Sequence, residues 1–135
     1  MQTAPPIPSA TPMPDAYDAL TGTVTPQLEP MRQALPQVMA AFGSLSRTAV
    51  ADGALSGKTK ELIALALGVA AHCEACIGFH AKALARLGAT PQEVREALAV
   101  AVYMGGGPSL MYSASAVAAF DEFAASVDAQ RRTRA

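Results

Sequence analysis

The sequence predicts an all-α protein: a compact helical domain of about five to six helices, preceded by a proline-rich N-terminal arm. Three observations predict it. The chain is rich in alanine and leucine, with only 5% aromatic residues and no tryptophan, a composition that favours helices over strands. Apolar residues recur at spacings of three and four in successive segments, each bounded by glycine, proline or a capping residue. No stretch shows the strict apolar–polar alternation of a half-buried strand. At 135 residues the chain suffices for one domain with a modest core.

The N-terminal segment comes first. Residues 1–30 contain Pro5, Pro6, Pro8, Pro12, Pro14, Pro26 and Pro30, which remove backbone donors and fix φ, so no long helix is expected there. The segment is either an unstructured tail or an arm with a short helical turn around Asp15 to Leu20. As an arm it would lie across a neighbouring subunit, with Ile7, Met13, Tyr17 and Leu20 as anchors. The helical domain is placed at residues 31–128. From Pro36 onward, Val38, Ala41, Phe42 and Leu45 make one apolar face of a helix reaching about Val50, and Asp52-Gly53 ends it. Ser56 is the N-cap expected for the next helix, which continues through Leu62, Ile63, Leu65, Ala66 and Val69. That helix is apolar on nearly every side, so a central or interfacial position is expected.

The chain should break or bend again between Gly68 and Cys73, at Gly68 or His72. A further helix then runs from about Cys73 to Leu87, with Cys73, Cys76, Ile77, His80, Leu84 and Leu87 on its inward face and Glu74, Lys82 and Arg86 in solvent. Gly88 ends it as a C-cap. Thr90-Pro91-Gln92-Glu93 opens the next helix as a capping box with proline at the first position, and Val94, Ala97, Leu98 and Ala101 form its buried face. Gly105-Gly106-Gly107-Pro108 reads as a turn, since it lacks the lysine and hydroxyl ending of a phosphate loop and no strand precedes it. A last helix, from about Ser109 to Val127, offers Leu110, Ala114, Val117, Ala118 and Phe123 for packing. Residues 129–135, with Arg131, Arg132 and Arg134, form a basic frayed end that complements the helix dipole.

The chemistry is concentrated between Glu61 and His80, a stretch that holds both cysteines and both histidines. Cys73 and Cys76 form a Cys-x-x-Cys pair, whose thiols can close a disulfide with little rearrangement, so that one attacks while the other resolves. His80 lies four residues past Cys76, on the same helical face, where an imidazole can take a thiol proton or steady a thiolate. Glu61 stands twelve residues before Cys73, far enough for a separate helix to bring its carboxylate back over the sulfurs. Its plainer role is an exposed first-turn acid. The position of Cys73 at a helix start favours it as the attacking thiol, whereas closeness to His80 favours Cys76.

This constellation, Glu61 with Cys73-x-x-Cys76 and His80, resembles the carboxymuconolactone decarboxylase superfamily in its alkylhydroperoxidase D-like, single-repeat branch. The flanks Leu55-Ser56-Gly57-Lys58-Thr59-Lys60, Gly88-Ala89-Thr90-Pro91 and Tyr103-Met104-Gly105-Gly106-Gly107-Pro108 resemble it too, so the likeness spans roughly residues 35 to 125. It implies a thiol-dependent hydroperoxidase or disulfide reductase with a proton relay from Glu61, through water or His80, to Cys76. In that scheme Cys76 attacks the peroxide and Cys73 resolves the sulfenic acid as a disulfide. The substrate would be a hydroperoxide and the reductant an external dithiol, lipoyl or thioredoxin-like. The resemblance also implies a trimer or hexamer.

Other functions are weighed against this one. Cys73, Cys76 and His80 with Glu61 or His72 would make a zinc set, but structural zinc usually draws ligands from two separated knuckles, and here three come from one short stretch. Lactone decarboxylation, the family's other activity, needs no dithiol. A redox sensor would use the same thiols. No cofactor or metal is expected. The net charge of −1, with both signs scattered, leaves no footprint for nucleic acid or an anionic membrane. The run from Leu62 to Ala71 is about half a bilayer span, and the first residues lack both a basic region and an apolar core, so a cytoplasmic setting is expected.

Overall fold

Seven helices succeed one another in the computed structural model, which describes residues 15–135: α1 (Ala16–Gln27), α2 (Glu29–Ala34), α3 (Pro36–Val50), α4 (Gly57–Ala70), α5 (Glu74–Arg86), α6 (Pro91–Gly105) and α7 (Gly107–Arg134). The all-α expectation holds, and among the described residues there is no strand. Helices α4 to α7 pack on one another around one core, and α1 lies against α5 and α7. Leu65 of α4, Ile77 and Leu84 of α5, Val94 of α6 and Phe120 of α7 are the large side chains at its centre. Burial of each stabilises the fold by about 1.5–3 kcal/mol. No helix among the described residues is long and apolar enough to cross a membrane.

Local signals set the ends of the central helices. The Ser56 side chain accepts the Thr59 N–H at the start of α4, and Thr90 with Glu93 forms the full capping box at the start of α6. Helices α4 and α5 end in the same way. In each, the residue after the C-cap takes a left-handed backbone: His72 (φ 55°) after α4 and Gly88 (φ 74°) after α5. Cys73 N–H then donates to Gly68 O and His72 N–H to Val69 O, just as Ala89 N–H donates to Leu84 O and Gly88 N–H to Ala85 O. Both are Schellman closures, which satisfy carbonyls the helix leaves open.

Several expectations are corrected. The extended arm over residues 1–30 is not what residues 15–30 form: they carry α1 and the start of α2, with Pro26 in the last turn of α1. Residues 1–14, including Ile7 and Met13, lie outside the described residues. Tyr17 packs against the core of its own chain, and Thr21 is the buried residue of α1. Glu122 of α7 makes this helix possible, because its carboxylate accepts the N–H groups of Tyr17 (3.1 Å) and Asp18 (2.8 Å) where Asp15 provides no side-chain cap. The C-terminal residues 129–134 continue α7 rather than fray. Helix α5 begins one residue late, with Cys73 as its N-cap, and Leu87 is half exposed at its end. On α7 the buried stripe is Ser109, Ser113, Ala116, Ala119, Phe120 and Phe123, so Leu110, Ala114 and Ala118 face outward.

Among the described residues, apolar surface stays uncovered along α6 and α7, at Val100, Tyr103, Met104, Leu110 and Met111, and on α3 and α4. Among the described residues helix α3 touches only α2 and α4, and its face of Val38, Phe42 and Leu45 is left open by them, with Phe42 66% exposed. Helix α4, expected to be enclosed all round, buries Leu65, Gly68 and Val69 but leaves Ile63 and Leu67 outside. The apolar face of α3 is the one the sequence predicts, and nothing among the described residues covers it.

Candidate active site

The site lies where α4 passes α5. Gly68 permits the close approach, since a Cβ built there would stand 3.4 Å from the Cβ of Cys76. Cys73 is the N-cap of α5, and its Sγ accepts the Cys76 N–H at 3.2 Å. The two cysteines are joined as a disulfide, with their Cα atoms 5.2 Å apart. Both residues are half-buried. That N–H and the positive end of the α5 dipole are directed at the Cys73 sulfur.

Glu61, from the first part of α4, is only 9% exposed. Its Oε2 lies 2.6 Å from Nδ1 of His80. An ionised carboxylate has no hydrogen to give, so Nδ1 carries the proton and the pair fixes the tautomer of the ring. Nε2 is thereby left as the nitrogen that accepts or returns a proton. His80 sits one turn beyond Cys76 on α5, and the Glu61 carboxylate reaches it from α4. Glu61 is thus paired with His80, and Cys73 with Cys76. Among the described residues no three His, Cys, Asp or Glu side chains converge as a metal-binding group.

Sequence reasoning gives His72 only a place in the helix break or in the rejected zinc set. In the structure its ring stacks flat on Tyr112 of α7, with centroids 4.5 Å apart and parallel planes. Tyr112 is itself packed against the core, so the stack ties the turn before Cys73 to α7. The left-handed backbone at His72 costs about 1–2 kcal/mol relative to the right-handed one for a residue with a Cβ. The signal available in the sequence is an omission: no glycine stands at the helix stop before Cys73, so a residue with a side chain has to take that conformation.

With the geometry described, the chain can be compared with known proteins. The carboxymuconolactone decarboxylase family profile matches residues 36–120. An uncharacterized protein of Cupriavidus necator, H16_B0147, is 42% identical over 95 residues, covering 70% of this chain and 84% of that protein. Uncharacterized protein 4 in the cox locus of Paracoccus denitrificans is 42% identical over 82 residues, covering 61% of this chain and 74% of its own. The crystal structure of apo-lpg0406, a carboxymuconolactone decarboxylase family protein from Legionella pneumophila, superimposes with a TM-score of 0.79 at 53% identity, over 82% of this chain and 98% of that one. The family match takes in Glu61, Cys73, Cys76 and His80 together, along with the helices that carry them. The chain belongs to the carboxymuconolactone decarboxylase family.

Proposed function

We propose that the protein is a thiol-dependent hydroperoxidase of the alkylhydroperoxidase D type, cycling Cys73 and Cys76 between dithiol and disulfide. The observation that carries this reading is the Cys73–Cys76 disulfide at the N-terminus of α5, the helix that also carries His80, paired with the buried carboxylate of Glu61. Lactone decarboxylation needs no dithiol, and this geometry is built around one.

The cycle has three steps. In the first, His80 takes the Cys76 thiol proton at Nε2, the resulting thiolate attacks a peroxide oxygen and the O–O bond breaks. The departing alkoxide takes a proton from His80, which Glu61 holds in place, and Cys76 is left as a sulfenic acid. In the second, the Cys73 sulfur attacks the Cys76 sulfur, water leaves and the disulfide forms. In the third, an external dithiol of lipoyl or thioredoxin-like type reduces the disulfide and is itself oxidised to a disulfide. A reducing compartment such as the cytoplasm suits this cycle, because dithiol donors are maintained there. The same pair would serve a disulfide reductase, with a disulfide in place of the peroxide as electron acceptor.

The assembly proposed with this activity is a homo-oligomer, a trimer or hexamer. The open faces of α3 and α4 support it, since large contiguous apolar patches rarely stay exposed on monomers.

Thiol counting tests the activity. Reduced protein treated with one equivalent of a small hydroperoxide should lose two thiols and gain one intramolecular disulfide. Thiol counts that do not change would overturn the reading.

A further inference from the structure

We propose that His72 is a positioning residue for the dithiol pair, acting through its stack on Tyr112 to hold Cys73 where it closes readily on Cys76. The inference rests on the reading of Cys73 and Cys76 as a working redox pair, and it adds to that reading a control on how stable their disulfide is.

Two helix ends in the molecule share one design. After α5 the left-handed position is Gly88, which has no Cβ to strain and needs no side-chain support. After α4 the same position is His72, with the same two closing hydrogen bonds. Glycine would make that turn more easily, so the turn itself does not account for the imidazole. The two sites differ in the next residue along the chain. Ala89 comes after Gly88, whereas Cys73 comes after His72 and is at once the last residue of the turn and the N-cap of α5. A single residue therefore links the closure of α4 to the position of a reactive sulfur. The ring of His72 is fixed to α7 through Tyr112, at a centroid distance of 4.5 Å.

A disulfide between two thiols is favoured in proportion to how well the reduced pair is already placed. Oxidation by glutathione disulfide makes this measurable. Cys73 and Cys76 give up two protons and two electrons, the Sγ–Sγ bond forms, and the oxidant leaves as two molecules of thiol. With the stack intact, the backbone before Cys73 has one conformation to offer. Without it, the reduced turn samples others and the closing equilibrium weakens.

The test is the equilibrium constant for that exchange, with thermal unfolding of the reduced protein measured alongside. His72→Gly keeps the turn and removes the ring, His72→Asn keeps a side chain tolerant of the left-handed conformation, and Tyr112→Leu removes the other half of the stack. Each should lower the constant by about two- to tenfold, the range expected for loss of one aromatic pair. Tyr112→Phe should retain the wild-type value. The double variant His72→Gly/Tyr112→Leu should fall no further than either single change. His72→Gly should at the same time unfold at the same temperature as wild type or higher, an effect opposite in direction to its redox defect. Wild-type constants in His72→Gly and Tyr112→Leu would overturn the proposal. This exchange needs no peroxide, so a protein inert to hydroperoxides whose variants still shift the constant would refute the proposed activity and leave the role of His72 standing.

Discussion

Glu61 and His80, nineteen residues apart on two different helices, meet at 2.6 Å with the carboxylate buried. That contact separates two roles for Glu61. A first-turn acid serving only its own helix end would face solvent, and Glu61 instead faces the imidazole of α5.

If the pair moves protons, Glu61→Gln and His80→Ala should slow thiol oxidation by about a hundredfold or more. Stopped-flow oxidation rates across the neutral range check this, with urea midpoints measured in parallel. Both variants should remain folded. Wild-type rates in both would make the pair a packing feature only.

Helix α1 depends on contacts from outside its own sequence. Gly78 of α5 faces it, and a Cβ at Gly78 would come 2.8 Å from Cγ2 of the buried Thr21. Gly78→Ala should therefore destabilise the protein by about 1–3 kcal/mol through overpacking. Glu122→Ala removes the acceptor for the first N–H groups of α1 and should cost about 1 kcal/mol, the usual value of an N-cap. Hydrogen exchange should show the loss of protection confined to α1, with α4–α6 unchanged.

The uncovered face of α3 leads to a prediction about mass. Light scattering at micromolar concentration should give a multiple of the 13.8 kDa chain, and Phe42→Asp should reduce it. A monomer mass for the wild type would contradict the proposed assembly.

The start of α4 is tied to the start of α6 by Lys58 and Glu93, 2.8 Å apart. The hydrogen bond from Lys58, followed by that from the Thr90 N–H, holds the Glu93 carboxyl below its ordinary value of 4.5. A carboxyl depressed in the folded state adds stability above its unfolded value, and that contribution is lost as pH falls through the folded value. Glu93→Gln, which retains the capping-box geometry, should therefore be less stable than wild type at neutral pH. The difference should vanish well below pH 4.5. Urea midpoints at the two pH values check it, and a difference independent of pH would show that the charge contributes nothing.

The parts of this fold that are legible in the sequence are those fixed by a few neighbouring residues. Ser56, Thr90 with Glu93, and Gly88 each act within one helical turn, and each caps as its sequence predicts. Helix α1 is not legible, because its own residues argue against it. Gly22, Pro26 and three threonines are poor helix formers. The helix is held because Glu122 and the α5 surface receive it, while Thr21, Thr23 and Thr25 satisfy their hydroxyls on carbonyls of the same helix. On α7 the alanine-rich sequence offers little contrast between faces, so it does not reveal that Ser109 and Ser113 are buried while Leu110 is exposed. In the site, the spacing of Cys73, Cys76 and His80 carries the chemistry. The stack of His72 on Tyr112 joins residues 40 positions apart and leaves no local trace.

The central claim, that Cys73 and Cys76 turn over hydroperoxide as a pair, is tested most directly by steady-state peroxide consumption. The assay supplies dithiothreitol as the reductant and compares wild type with Cys73→Ser and Cys76→Ser. Wild type should consume peroxide catalytically, Cys76→Ser should fall to the uncatalysed rate, and Cys73→Ser should lose turnover while its remaining thiol is oxidised once to a sulfenic acid. Equal rates for wild type and both serine variants would contradict the account.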